Sequence, residues 1–461
     1  MTPLYNPALL PAERTRLATS LRPHLVTSLL GFLRRLGADG APQHQLVLGP
    51  SGSGKTMLLR TLQTEVLADP ELARRWFPLT FPEAQWDIAR TADLWANALD
   101  YLVVALERRA AGGADALRAR IAALPEDVDQ RGPAALALLV AEAKRLERRF
   151  VFLIDTLDVV LERLKRDQWE VREVLASQSE VLVIGASARA IEATYRYDAA
   201  FYDFFQLHEL RPIHPDLLPR LLDRVAADEP LYRTLALALA ARPAIVRAAL
   251  HLVGSQPRML ALLGRALADA PEASAATLVQ LALDGWTPAF RARVEPLAPQ
   301  SLMVLHALAS LWHPSRPQEV AARSRLAPNV VSAQLHRLVQ EGVVDKVPLG
   351  ARVGFLIADR VLQAWLLMRL GQPHRRRLAA AADALAALGD TDLTREAGAA
   401  GPVQAPDEAD PERHSHVAPE LRSLMGSSYE SAVFASQAAL AGVETGARGI
   451  SDQRSGLGKR T

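Results

Sequence analysis

The residues best suited to chemistry stand between positions 49 and 56, in a glycine-rich segment that ends in a lysine and a threonine. The segment fills every fixed position of the pattern G-x-x-x-x-G-K-[ST], whose backbone N–H groups bind phosphate oxygens. Glycines are needed there because a side chain would intrude on the phosphates. We therefore predict that a nucleotide is bound by Gly49, Pro50, Ser51, Gly52, Ser53, Gly54, Lys55, Thr56 and the next residue, Met57.

Two residues of this segment have separate predicted roles. The Lys55 ammonium would reach the β- and γ-phosphates, and the Thr56 hydroxyl would bind Mg²⁺. The flanking sequence agrees, since the apolar run at 45–48 predicts a buried strand and apolar positions at helical spacing over 57–66 predict a helix. The alternative is a glycine-rich surface turn, and the strand, loop and helix context favours the phosphate-binding loop.

A second candidate group follows the apolar run at 150–154. The run has no alternation of apolar and polar residues, which predicts a strand buried on both faces. Asp155 at its end would face the phosphate-binding loop and hold Mg²⁺. Asp158 lies three residues later and could position or deprotonate an attacking water molecule.

A third group follows the apolar run at 181–186. The carboxyl ends of neighbouring parallel strands meet at one edge of a sheet, so Ser187 and Arg189 would arrive beside the γ-phosphate. The alternative for Arg189 is an ordinary solvent-exposed arginine.

The composition limits the remaining possibilities. A chain of 461 residues that is 49% hydrophobic can bury two or three cores. The net charge of +2 gives no global electrostatic reason to expect a polyanionic partner. The absence of cysteine excludes disulfides, thiolate zinc sites and thiol nucleophiles. With no apolar leader and no long apolar span, we expect a cytoplasmic protein that does not enter membranes.

Strands that alternate with helices up to about residue 213 predict an α/β fold with a parallel sheet flanked by helices. A helix is expected at 25–36, an edge strand at 76–81, and helices at 92–109 and 133–149 around a softer connection. We predict five segments: an N-terminal helical lead-in at 1–43, a P-loop core at 44–213, a helical lid at 214–296, a winged helix at 297–371, and a largely disordered tail at 372–461 with a candidate helix at 418–441.

The helical region beyond the core contains two further candidate features. Pro257 fits the first turn of a helix, which would present Arg258 at the helix start. Three helices followed by short strands at 343–347 and 353–357 predict a winged helix-turn-helix. Its third helix, at 329–341, is the candidate recognition helix. This helix and the basic residues of the wing could contact DNA, although Glu341 and Asp345 dilute the charge.

Together, the motifs at 49–56, 154–158, 185–189 and 254–258 resemble those of the signal-transduction ATPases (STAND class) of the AAA+ superfamily. The archaeal-type ATPases with an appended winged helix look most similar, and the resemblance covers about residues 20–370. It implies that ATP and Mg²⁺ are bound and that ATP is hydrolysed.

The resemblance also assigns roles to single residues. Ser187 or Arg189 would be the first sensor, and Arg258, in a motif similar to the family's G-N-P-R, the second. Most AAA+ proteins have an acid directly after the Mg²⁺ aspartate, where this chain has Thr156. STAND proteins have a small residue there and the acid slightly later, which fits Asp158. No arginine finger is assigned, although Arg196 and Arg211 lie in the expected region.

Three functions are compatible with these observations. The first is an ATP-hydrolysing switch whose nucleotide state controls the winged helix. The second is a nucleotide-regulated protein that binds double-stranded DNA through residues 329–352. The third is a weakly hydrolysing scaffold or sensor subunit of a defence or signalling complex. Because AAA+ relatives commonly form their sites between subunits, self-association and protein partners are further expectations.

Overall fold

The computed structural model describes residues 19–37, 42–82, 87–109, 112–188, 191, 194, 197–349 and 352–388. The chain divides into two compact units, Met1–Arg211 and Pro212–Thr461. This division lies two residues from the predicted end of the core. The segments predicted as a lid and a winged helix fall together in the second unit.

The first unit is built on a five-stranded parallel sheet with the strand order β2-β3-β4-β1-β5. Its strands are β1 (His44–Leu48), β2 (Trp76–Thr80), β3 (Arg149–Ile154), β4 (Val181–Ser187) and β5 (Phe205–Glu209). The edge position of β2 confirms the prediction from its proline, since Pro78 has no N–H to donate to a second neighbour. The parallel sheet confirms the predicted α/β class.

Helices flank this sheet. They are α1 (Pro23–Arg35), α2 (Lys55–Ala68), α3 (Pro70–Arg75), α4 (Thr91–Arg108), α5 (Ala114–Ala122), α6 (Val128–Leu146), α7 (Leu157–Arg163) and α8 (Gln168–Ser177). Alternate residues of β3 enter separate hydrophobic clusters: Phe150 and Phe152 pack with α4 and α6, and Val151 and Leu153 with α1 and α2. This arrangement explains why β3 has an unbroken apolar run, because both of its faces are buried.

Some elements differ from the sequence prediction. The connection expected around 110–129 contains α5, which Gly113 begins with a φ of 103° and Leu117 anchors in the core. Helix α6 begins at Val128, five residues before the predicted start, because the Asp127 carboxylate caps it by accepting the Asp129 N–H. The predicted helix start at Pro133 is therefore wrong, since this proline lies inside the helix.

The second unit contains helices and one antiparallel hairpin. Its helices are α9 (Leu218–Val225), α10 (Pro230–Ala241), α11 (Pro243–Val253), α12 (Pro257–Asp269), α13 (Ala275–Gly285), α14 (Thr287–Val294), α15 (Pro299–Leu311), α16 (Pro317–Ser324), α17 (Pro328–Gln340), α18 (Arg360–Arg369) and α19 (Gln372–Leu388). The hairpin pairs β6 (Val344–Leu349) with β7 (Arg352–Ile357). Three helices and two strands are thus present in the predicted order.

The predicted start of a disordered tail at residue 372 is wrong. Residues 372–388 form α19, which packs against α11, α13 and α18. Its buried positions are Leu378, Ala381, Ala382 and Leu385, the spacing of one apolar helix face. The alanine-rich composition makes this apolar face hard to recognise from the sequence alone. The candidate helix at 418–441 lies outside the described residues, and in the described part of the chain no helix has the length and apolarity needed to cross a membrane.

Candidate phosphate-binding site

The glycine-rich loop joins the end of β1 to the start of α2. Gly52 and Gly54 adopt φ values of 80° and 100°, a left-handed conformation that favours glycine. Gly49 is required for a different reason. A Cβ atom there would lie 2.7 Å from Ser53 Oγ and 2.8 Å from Leu210 Cβ, so a side chain would push the loop away from the strand.

Lys55 points into this loop. Its ammonium nitrogen donates hydrogen bonds to the carbonyl oxygens of Gly49 at 2.7 Å and Pro50 at 3.1 Å. The side chain belongs to the first turn of α2 and is buried. The loop therefore holds a positive charge inside its curve, close to the helix N-terminus where anions are favoured.

Thr56 and Asp155 are 99 positions apart in the sequence and are hydrogen-bonded in the structure. The Thr56 hydroxyl donates to Asp155 Oδ2, and the Thr156 N–H donates to Asp155 Oδ1 at 3.0 Å. Asp155 is only 5% exposed. A hydroxyl beside a carboxylate supplies the oxygen ligands that Mg²⁺ prefers.

The donor set also indicates how an ion would be held. Among the described residues, no group of three or more His, Cys, Asp or Glu side chains could hold a metal ion alone. Mg²⁺ is usually bound by one or two carboxylates together with the phosphates of its substrate. The pair of Thr56 and Asp155 fits an ion that arrives with a nucleotide.

The sheet register brings the ends of three strands together. Leu48 pairs with Ser187, Ile154 pairs with Gly185, and all of these strand pairs are parallel. The Gly49 N–H donates to the Ser187 carbonyl at 3.1 Å, which joins the loop directly to the end of β4. The predicted convergence of the loop, Asp155 and Ser187 is confirmed, whereas Arg189 lies outside the described residues.

Asp158 lies in the first turn of α7, three residues after Asp155, and is 7% exposed. The turn into this helix places Thr156 at a φ of 54°. A Cβ atom on Gly185 would lie only 2.3 Å from Leu157 Cδ2, so the start of α7 packs directly on β4. This close packing fixes the position of Asp158 near the strand ends.

The predicted second sensor belongs to the second unit. Pro257 begins α12 as predicted, and Arg258 follows it with its guanidinium 5.7 Å from the ring centre of Trp286. The role of Arg258 stays a prediction. Of the two arginines considered for a finger, Arg211 pairs with Glu209 at 2.7 Å and Arg196 lies outside the described residues.

His44 supports the site from the opposite end of β1. Its Nδ1 accepts the Val183 N–H at 3.0 Å, and its Nε2 lies 3.2 Å from the Leu175 carbonyl oxygen. Burial lowers the pKa of His44 from about 6.5 to about 4, with a smaller opposing effect from the Leu175 hydrogen bond. His44 therefore has a structural role. Leu210, which packs on Gly49, had no local sequence signal.

Comparison with known proteins agrees with this geometry. Residues 21–184 match the family model described as the AAA ATPase domain. The match lies within the first unit. No curated protein matches the chain in sequence.

Several solved structures are similar to this chain. A Walker-type ATPase of Pyrococcus abyssi is similar with a TM-score of 0.50 and 14% identity, over 75% of this chain and 95% of that one. The ORC1 protein of Aeropyrum pernix, solved in complex with DNA, gives a TM-score of 0.41 and 16% identity over 82% and 97% of the two chains. Cdc6p of Pyrobaculum aerophilum gives a TM-score of 0.35 and 12% identity, over 80% of this chain and 98% of that one.

Proposed function

We propose that this chain is an ATP-hydrolysing switch of the STAND type that binds Mg²⁺–ATP at the loop 49–56. The observation that carries the proposal is the hydrogen bond between Thr56 and Asp155 beside a loop that encloses the Lys55 ammonium. A surface turn would need neither a buried lysine nor a buried carboxylate from another strand. The match of residues 21–184 to the AAA ATPase domain supports the same assignment.

Different residues of the chain would bind different parts of Mg²⁺–ATP. The N–H groups of the loop would bind phosphate oxygens, and Lys55 would exchange its carbonyl partners for the β- and γ-phosphates. Thr56 and Asp155 would hold the ion. When bound, Mg²⁺–ATP supplies the γ-phosphoryl group and neutralises charge on the phosphates.

Asp158 is the proposed base for the attacking water molecule. Its place in the first turn of α7, after Asp155, puts a second carboxylate near the same strand ends. It would orient the water for in-line attack and take its proton. Ser187 or Arg189 is the proposed first sensor and Arg258 the proposed second, by resemblance to the family motifs.

Three variants test this proposal by separating binding from turnover. Lys55→Ala should abolish ATP binding, and Asp158→Ala should retain binding but lose turnover by a factor of about 10² or more. Lys165→Ala, which removes an exposed lysine just beyond α7, is the matched control. Unimpaired turnover in both site variants would defeat the assignment. Retained binding with no measurable wild-type turnover would favour the scaffold or sensor function.

A second candidate function is binding of double-stranded DNA, with the nucleotide in a regulatory role. Residues 299–388 contain 11 Lys and Arg against 5 Asp and Glu, a local excess that the near-neutral whole chain conceals. Helix α17 exposes Asn329, Ser332, His336 and Arg337, and the hairpin exposes Lys346 and Arg352. We propose that α15 to β7 is a winged helix and that these side chains contact DNA.

A mobility-shift titration tests the DNA proposal. The paired change Arg337→Gln and Lys346→Gln should weaken binding and reduce its salt dependence, because each phosphate contact releases counterions. Wild-type protein that does not bind duplex DNA at low salt would overturn this second function and leave the ATPase proposal intact.

A further inference from the structure

A group of basic side chains in the second unit belongs to helices other than α17 and lies outside the hairpin sequence. Three helices contribute to it: His306 on α15, Arg323 on α16, and His374 and Arg377 on α19. The rings of His306 and His374 are 6.4 Å apart, edge to face. We call these four residues the basic cluster. Two of its residues belong to α19, a helix in the region whose composition predicts a disordered tail.

In the portion of the chain that the structure describes, no carboxylate forms an ion pair with Arg323 or Arg377. Arg323 donates from Nε to Ser310 Oγ at 2.8 Å, which fixes the guanidinium while its side chain stays exposed. Among the described residues, Arg323 and Arg377 thus lie in this cluster without a carboxylate ion-pair partner.

The pKa values of the two histidines are lowered, in part by the neighbouring positive charges. The pKa of His306 is lowered by burial and then by Arg323. The pKa of His374 is lowered by burial and then by Arg323, Arg377 and His306, which lie on all three helices. No carboxylate acts on either ring among the described groups. An anion bound here would relieve the repulsion and raise both pKa values.

A second observation concerns donors beside the cluster. Trp312, which follows α15, is only 7% exposed, and its indole N–H has no hydrogen-bond partner within the described residues. Trp312 and Arg377 line the same cavity. The cavity holds only about 10 Å³, room for no more than one water molecule, so it cannot enclose a small-molecule ligand. The side chains of His306, Arg323 and Arg377 are exposed.

The start of α19 also carries an unusual charge arrangement. His374, Arg375, Arg376 and Arg377 occupy its first two turns, and its first turn contains no acidic residue. Cations are disfavoured at the N-terminus of a helix, where the macrodipole is positive. An exposed basic surface whose arginines pair with no carboxylate among the described residues, on a segment with an excess of Lys and Arg, suits an extended polyanion.

We propose that the basic cluster binds phosphate groups of a duplex DNA backbone, as a contact surface separate from α17 and the hairpin. The inference rests on the second function proposed above and adds a second set of contacts to it. Because the contacts are to phosphates, they contribute affinity and orientation without reading sequence.

The test is a fluorescence-anisotropy titration of the full chain with duplex DNA of arbitrary sequence at several salt concentrations. The double variant R323Q/R377Q should bind at least about tenfold more weakly, with a salt slope smaller by about 2 because two phosphate contacts are lost. The matched control is R220Q/R224Q, which removes two exposed arginines from α9 of the same unit. Thermal melting should show that both variants remain folded.

A second arm uses the histidines. Wild-type affinity should rise between pH 7.5 and pH 6.0 as DNA promotes protonation of His306 and His374, and H306Q/H374Q should show a smaller rise. Equal binding by R323Q/R377Q and its control, with R337Q/K346Q still weakened, would overturn this inference and leave the winged-helix contact standing. Wild-type protein that does not bind DNA would overturn both, and the ATP titration would decide the nucleotide proposal independently.

Discussion

The stability of the first unit should depend on pH through His44. The ring is 1% exposed, and its two nitrogens contact Val183 of β4 and the Leu175 carbonyl of α8. Both contacts use the neutral ring, with Nδ1 as acceptor and Nε2–H as donor. Burial of the ring is the main reason that the folded protein resists protonation, which would also place an N–H against the Val183 N–H.

The size of the effect follows from the two pKa values. The folded-state pKa of about 4 lies below the ordinary value of 6.5, so the unfolded chain binds more protons between these pH values. The His44 contribution is therefore fully present above about pH 6.5 and is lost as the pH falls toward 4. This pKa difference corresponds to about 3 kcal/mol of unfolding free energy.

Urea unfolding of wild type and His44→Asn, measured from pH 7.5 to pH 4.5, gives this contribution as the difference in slope. His24→Gln, a change at an exposed histidine of α1, should keep the wild-type slope. His208, His306 and His374 also have lowered pKa values, and their effects cancel in the comparison. Parallel slopes for wild type and His44→Asn, or a His44 pKa near 6.5 by NMR titration, would refute this reasoning.

Two further predictions use matched pairs. Gly185→Ala should cost about 1–3 kcal/mol of stability and reduce ATP turnover, because the new Cβ would displace Leu157 beside Asp158. Gly112→Ala is the control, because a Cβ there meets no atom within 4 Å. Equal melting temperatures and equal turnover for the two variants would contradict this prediction. Leu385→Ala should destabilise the second unit by about 2–5 kcal/mol, because Leu385 is buried on the apolar face of α19. Leu237→Ala is the control and should change the free energy of unfolding by less than about 0.5 kcal/mol, because Leu237 is 66% exposed. Similar urea midpoints for the two variants would contradict the packed position of α19.

The parts of the fold that could be predicted have strong local signals. The unbroken apolar run before Asp155 indicated a strand buried on both faces, and the structure divides its residues between two hydrophobic clusters. The fixed spacing of the phosphate-binding loop placed Lys55 and Thr56. Because parallel strand ends share one edge, the meeting of Thr56 with Asp155 followed from topology alone.

The parts that were missed depend on contacts between distant positions. Helix α19 resembles a low-complexity tail until its apolar positions are matched to α11 and α13, which lie far away in the sequence. The cluster of His306, Arg323 and His374 exists only because three helices converge, so no spacing along the chain could indicate it. The packing of Leu210 on Gly49 is similarly non-local.

The central claim is that the loop 49–56, Thr56 and Asp155 form one site for Mg²⁺–ATP. Isothermal titration calorimetry with ATP, in the presence and absence of Mg²⁺, tests it most directly on wild type, Lys55→Ala and Asp155→Ala. We expect saturable binding to wild type that Mg²⁺ strengthens, no binding to Lys55→Ala, and binding without the Mg²⁺ effect for Asp155→Ala. Equal affinity of all three proteins for ATP, or no binding to wild type, would contradict the claim.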